Sequence, residues 1–150
     1  MKPGNTFNED CTEIISPVNL YQCTISDNCF VGPFVEIQKG VVVGSGTKIQ
    51  SHSFVCELVK IGTDCVVGHG VMFINDLFAG GEPARGNTNL WHQTTIGDRV
   101  LIGSNATILP VNICDDVVIG AGSVVTTDID RSGIYAGNPA RFLRSFEQVK

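Results

Sequence analysis

The chain has 150 residues, 43% of them hydrophobic and 17% charged, and carries a formal net charge of −5. That length fits one domain, 1–150, and an acidic chain without a basic cluster is a poor partner for nucleic acid or an anionic membrane. No apolar run approaches membrane-spanning length, and the opening Met-Lys-Pro-Gly-Asn-Thr lacks the apolar core of a signal peptide.

Met1 to about Ser16 is expected to cap one end of the fold. From there an aliphatic or aromatic residue falls at every sixth position: Ile25, Val31, Ile37, Val43, Ile49, Val55, Ile61, Val67 and Phe73. A period of six is neither the 3.6 of a helix nor the 2 of an ordinary strand, but it is a period of β-helical repeats. Two positions before the beat stand small or β-branched residues, among them Cys23, Val35, Thr47, Ser53 and Val71. One position after it Gly32, Gly44, Gly62 and Gly68 recur. The unit is a short strand and a tight corner, with glycine supplying positive φ or close approach. Three units make a triangular coil, and successive coils pair as parallel strands about 4.8 Å apart. Each buried Ile or Val contributes roughly 1.5–3 kcal/mol to one continuous core.

After Phe73 the next beats read as Leu90, Ile96, Ile102 and Ile108. Seventeen residues from Phe73 to Leu90, where six suffice, leave 11 surplus. Asn75–Asn89, with Gly80-Gly81, Pro83 and Gly86, is the expected protruding loop. Ile108 to Ile113 spans only five, so the turn after Pro110 is shortened before the beat resumes at Ile119 and Val125. A tail after Asp130 covers the other end, and Phe142–Val149 can form a short helix. Of the six cysteines, Cys23, Cys29 and Cys65 fall on the inner small column and Cys56 and Cys114 follow the beat. Packing accounts for these five, no C-x-x-C exists, and a reduced cytoplasmic setting is the default.

With this repeat, and with Ile119-Gly120-Ala121-Gly122-Ser123-Val124-Val125-Thr126 and Ala136-Gly137-Asn138-Pro139-Ala140-Arg141, the chain resembles the hexapeptide-repeat acyltransferases. The resemblance implies an all-β fold, a left-handed parallel β-helix. Three stretches are more specific: Gly32-Pro33-Phe34-Val35-Glu36-Ile37-Gln38, Ile49-Gln50-Ser51-His52-Ser53 and Val67-Gly68-His69-Gly70-Val71-Met72-Phe73-Ile74-Asn75-Asp76. These resemble bacterial N-acetyltransferases of nucleotide-linked amino sugars, those of the 3-amino-3,6-dideoxyhexose type above all. The implied partners are acetyl-CoA as co-substrate, a dTDP- or UDP-linked amino sugar destined for surface polysaccharide, and two further copies in a trimer with sites between subunits.

Residues 18 apart stack, which puts Lys39, Glu57 and Asn75 in one column, with Ser104 above once the 11 surplus residues are removed. His52 falls with Phe34 and Gly70, His69 with Pro33 and Ser51, and Glu36 near the edge of His52. An amine attacking a thioester needs a positioned neutral nucleophile, an oxyanion donor and a destination for its proton. Asn75 or Asp76 can hold the amine, Glu57 can orient it, and His69 can take a proton. Glu36, Gln38 and His52 are the candidate substrate contacts. The departing thiolate can itself accept the proton, so orientation is the firmer role. The bland readings are a surface ion pair for Lys39 and Glu57, worth roughly 0–1 kcal/mol, turn formation for Asn75 and Asp76, and solvated corners for the histidines. Small corner residues Gly103, Ser104, Gly120 and Ala121 let pantetheine amides reach the backbone, and the resemblance extends the cofactor to Pro139 and Arg141.

Three other functions compete. An O-acetyltransferase would need a histidine base. A zinc hydratase would use His52, His69 and His92, but spacings of 17 and 23 lack a close pair, so no metal is expected. A non-catalytic β-helix would only bind.

Overall fold

The computed structural model describes residues 4–8 and 11–146. Its repeating element is a two-residue strand in which the second residue is buried and the first faces out, as in Phe30–Val31, Lys48–Ile49 and Met72–Phe73. The chain turns a corner after each strand, so every third strand returns to the same face. Face I runs Glu13–Ile14, Phe30–Val31, Lys48–Ile49, Val66–Val67, Leu101–Ile102, Val117–Ile119 and Gly133–Gly137. Face II runs Asn19–Leu20, Glu36–Ile37, Phe54–Val55, Met72–Phe73, Thr107–Ile108 and Val124–Val125. Face III runs Thr24–Ile25, Val42–Val43, Val59–Ile61, Thr94–Ile96 and Asn112–Ile113. Pairing along each face is parallel, giving the expected left-handed β-helix of about 7 turns.

Inside, the beat residues Val31, Ile37, Val43, Ile49, Val55, Val67, Phe73 and Ile108 are all 0% exposed. The small column beside them carries buried hydroxyls, and those of Thr47 and Ser53 each find both a donor and an acceptor. Thr47 Oγ1 donates to Gly62 O (2.9 Å) and accepts from Cys65 N (3.0 Å); Ser53 Oγ donates to Gly68 O (2.7 Å) and accepts from Val71 N (3.2 Å).

Strand register corrects the size of the insertion. Phe30 pairs with Lys48, an offset of 18, whereas Val66 pairs with Leu101 and Met72 with Thr107, offsets of 35. The surplus is therefore 35 − 18 = 17 residues, not 11, and the beat after Phe73 is Ile96. Leu90 lies in a 3₁₀ turn, Thr88–Leu90, and is 54% exposed. It imitated a beat because an apolar residue six before a true one is indistinguishable in one dimension. Leu101 pairs with Val118, an offset of 17, which is the shortened turn after Pro110.

The ends differ more. The beat continues below Ile25 through Leu20 and Ile14, whose strands pair with Glu36–Ile37 and Phe30–Val31. A five-residue step from Leu20 to Ile25 concealed it, so part of the expected cap is already coil. At the other end the expected helix over Phe142–Val149 is corrected in its first three residues: Ala140–Arg144 is a strand, antiparallel to Gly133–Gly137. Face I ends in an open strand edge that needs backbone partners, and Phe142 packs edge-on to Tyr135 at 5.4 Å under the Arg131 guanidinium at 4.4 Å. Residues 147–150 lie outside the described residues.

The cysteines are free, and four are buried: Cys23, Cys29, Cys56 and Cys65. Burial raises all four thiols, that of Cys56 to about 12, so each stays protonated and unreactive. An alkylating reagent at about pH 8 is expected to modify these four only after denaturation. Peptide mapping that found rapid native labelling at Cys56 would contradict the packing.

Candidate active site

The predicted site residues fall on the two edges that bound face II. On the edge after face II, four of them join in one network. Glu36 Oε2 accepts from Asn19 Nδ2 (2.9 Å) and Glu36 Oε1 from Gln38 Nε2 (3.0 Å). Gln38 Oε1 accepts from the Glu57 backbone N (3.2 Å), and Asn75 Nδ2 donates to the Glu57 carbonyl (3.2 Å). Corner residues on adjacent coils meet because their backbones are locked about 4.8 Å apart. Tyr21 sits on the same edge: burial raises its phenol, the charges of Glu36 and Glu57 raise it further, and a hydrogen bond from Gln38 opposes them. Among the described residues Glu57 and Lys39 form no ion pair, so the surface-pair reading of that column fails. Asn19 was missed in the sequence. Its signal was Leu20 on the beat, one short step below Ile25.

Asp76 takes a different position from Asn75. Its Oδ1 accepts from Phe78 N (3.0 Å) and its Oδ2 from Ala84 N (2.7 Å), tying both oxygens to the insert's backbone. An isolated bridge pairs Asp76 with Trp91, and Asn75 O accepts from His92 N (2.9 Å), closing the root of the insert. Asp76 thus shapes the loop that rises beside Asn75.

The other edge, before face II, carries the histidines and the small residues. Phe34 and His52 stack with ring centroids 4.9 Å apart. His69 lies one coil higher, exposed, with its backbone N donating to Ser104 Oγ (3.2 Å). Ser104 therefore stands above His69 rather than above Asn75, the direct consequence of a 17-residue insert. Gly103, Ala121 and Gly120 continue this edge upward in van der Waals proximity, and Gly137 N donates to Ser123 Oγ (3.1 Å), placing the hairpin that bears Pro139 and Arg141 at the top. The Arg141 side chain is exposed and donates to Ala140 O (3.1 Å). Gly103, Ser104, Gly120 and Ala121 thus line one edge, with the hairpin that bears Pro139 and Arg141 above them. His69 and Asn75, by contrast, stand on opposite edges of face II, and His92 lies by the insert, apart from the other histidines.

Two stretches match family models: residues 22–57 match "Bacterial transferase hexapeptide (six repeats)" and residues 93–127 match "Hexapeptide repeat of succinyl-transferase". The bifunctional protein GlmU of Psychrobacter arcticus is 38% identical over 117 residues, 77% of this chain but 23% of that protein. The chain spans about a quarter of the length of such relatives. Among solved structures, a mutant of AntD, an N-acyltransferase from Bacillus cereus in complex with dTDP and coenzyme A, is similar with a TM-score of 0.75 at 21% identity, covering 94% of this chain and 83% of that one. A mutant of GDP-perosamine N-acetyltransferase from Caulobacter crescentus, with CoA and GDP-perosamine, gives 0.65 at 21%, covering 95% and 55%. At that identity the structural likeness speaks for the fold, and it agrees with the register of the coils and both matched stretches: the chain belongs to the hexapeptide-repeat acyltransferase family.

Proposed function

We propose that this protein is an acetyl-CoA-dependent N-acetyltransferase acting on the amino group of a nucleotide-linked, dTDP- or UDP-bearing, sugar in cytoplasmic synthesis of surface polysaccharide. The observation that carries it is the Asn19–Glu36–Gln38–Glu57–Asn75 network, a fixed polar edge with an amide at its upper end. It stands across face II from an edge of small residues where a thin chain of amides can lie against backbone. The bound CoA and nucleotide of the AntD and perosamine enzymes support the same pairing of ligands.

In this reading Asn75 holds the amine and the Glu57 carboxylate orients it. Glu36, Gln38 and His52 hold the rest of the substrate. Asp76 acts by folding the insert. Gly103, Ser104, Gly120, Ala121, Pro139 and Arg141 hold the acyl donor. The amine nitrogen attacks the thioester carbon, the C–S bond breaks, and the ammonium proton passes to the thiolate or to His69. Because His69 and Asn75 of one chain flank opposite edges of face II, a site using both draws the second edge from a neighbouring copy. A homotrimer supplies that arrangement, and a monomer mass by light scattering would remove the shared site.

Release of free thiol is expected only when acetyl-CoA and an amino-sugar nucleotide are both present. A panel of such amines that left acetyl-CoA intact, while a hydroxyl acceptor reacted and His69→Ala abolished that reaction, would replace this reading with O-acetylation.

A further inference from the structure

The corners of the helix impose one backbone requirement repeatedly. Most units place a residue at positive φ: Asn28, Gly46, Asp64, Arg99 and Asp116 on one edge, Gln22, Gly40 and Leu58 on the second, Phe34, His52, Gly70, Asn105 and Gly122 on the third. Glycine meets this freely, and Asn, Asp and His tolerate it. A bulky apolar residue there is strained, and at Phe34, with φ of 61°, the side chain is also 58% exposed. Phe34 thus contributes neither a comfortable backbone nor burial. What it does make is a step of two flat rings, its own and that of His52, centroids 4.9 Å apart and planes 30° apart.

The step is held firmly. Phe34 N donates to Pro17 O (2.6 Å) and His52 N to Pro33 O (3.2 Å), so both rings ride on laddered backbone. Above His52 the column has no side chain at Gly70, and above that the Asn105 side-chain oxygen hangs 2.5 Å from where a Gly70 Cβ would stand. Reading upward, the column is ring, ring, blank, amide. A flat heterocycle laid on the ring step meets, at its edge, an amide able both to donate and to accept. Glu36, two residues along from Phe34, anchors the polar network on the adjoining face.

We infer that Phe34 and His52 form the stacking platform for the base of the acceptor's nucleotide, with Asn105 at the edge of the base. This rests on the nucleotide-sugar reading above and names the part of that substrate bound at the lower edge. The base is the flat ring of such a substrate. The adenine of the acyl donor is the other flat ring present, but the hairpin that would meet it lies four coils above His52, roughly 19 Å at 4.8 Å per coil.

The test uses Phe34→Gly, which relieves the backbone strain and is expected to keep or raise the melting temperature, and Phe34→Trp, which keeps a platform. Calorimetry with dTDP and UDP alone is expected to show wild-type binding, weakened about 5- to 150-fold in Phe34→Gly, the range for loss of one base–aromatic stack, and recovered in Phe34→Trp. In turnover the same variant is expected to raise KM for the amino-sugar nucleotide by a like factor while KM for acetyl-CoA holds. Unchanged nucleoside diphosphate binding in Phe34→Gly overturns the platform even if the enzyme acetylates nucleotide sugars. A shift confined to acetyl-CoA, or a changed oligomer mass, also overturns it by assigning the rings to the donor or to subunit packing. Diphosphate binding that depends on Phe34, in an enzyme that acetylates no amino-sugar nucleotide, sustains the platform and defeats only the substrate reading.

Discussion

Asn75→Ala is expected to lower kcat/KM about 100-fold or more, within the range for removing a group that orients reactants or stabilises charge. The side chain is half-buried at the root of the insert, and its Nδ2 is fixed to the Glu57 carbonyl at 3.2 Å. That bond sets the plane of the amide. It leaves Oδ1 and the second amide hydrogen for a ligand, one to accept from the attacking amine and one to donate to developing negative charge. Alanine removes both and frees the Glu57 carbonyl, a loss of about 1 kcal/mol in stability, too little to unfold the chain. Thiol release measured at saturating acetyl-CoA separates the effects, since an orienting group moves kcat and a mere contact moves KM. Full kcat/KM in the variant would remove Asn75 from the centre of the site. Asp76→Ala gives a useful contrast. Freeing the Phe78 and Ala84 amides loosens the loop, so its effect should grow with temperature while that of Asn75→Ala should not.

The β-helix was legible because its inner column is one-dimensional: a buried residue every six positions survives any reading that counts. The edges of the fold were less legible for the same reason. Leu90 kept the count by coincidence and drew Ser104 into the wrong column, since a six-residue period cannot distinguish an 11-residue insert from a 17-residue one. Only pairing fixes that. Below Ile25 a single five-residue step broke the count and hid Ile14, Leu20 and with them Asn19. The strand Ala140–Arg144 was beyond reach because its cause is tertiary, an open strand edge that accepts any extended neighbour. Of the site, stacking by eighteen correctly joined Glu57 to Asn75 and Phe34 to His52, both below the insert. It could not show that Asn75 addresses the backbone of Glu57, which leaves the carboxylate free for a substrate.

Gly62→Ala is expected to destabilise the chain by about 3 kcal/mol, the upper end of ordinary overpacking or beyond it, and to lower Tm by roughly 6–12 °C for a domain of this size. Gly44, Gly62 and Gly97 follow the beat on the corner after face III and stand over one another. Their φ values are not positive, so freedom of the backbone is not why glycine is there. Proximity is: a Cβ on Gly44 would lie 2.5 Å from the Gly62 carbonyl carbon, one on Gly62 2.6 Å from that of Gly97, and one on Gly97 2.7 Å from Asp115 N. These neighbours are backbone atoms held by the ladder, with Gly44 N donating to Ile61 O (2.9 Å) and Gly62 N to Ile96 O (2.9 Å). They cannot swing aside as a side chain would. A methyl at Gly62 therefore opens the junction between two coils, and in a solenoid each coil is stabilised chiefly by its neighbours. Gly40 is the control. It occupies the positive-φ position at 76° with nothing within 4 Å of an added Cβ, so Gly40→Ala meets only local strain of about 1–2 kcal/mol. Denaturant midpoints at one protein concentration compare the two, and equal losses would mean that coil spacing is not what these glycines protect.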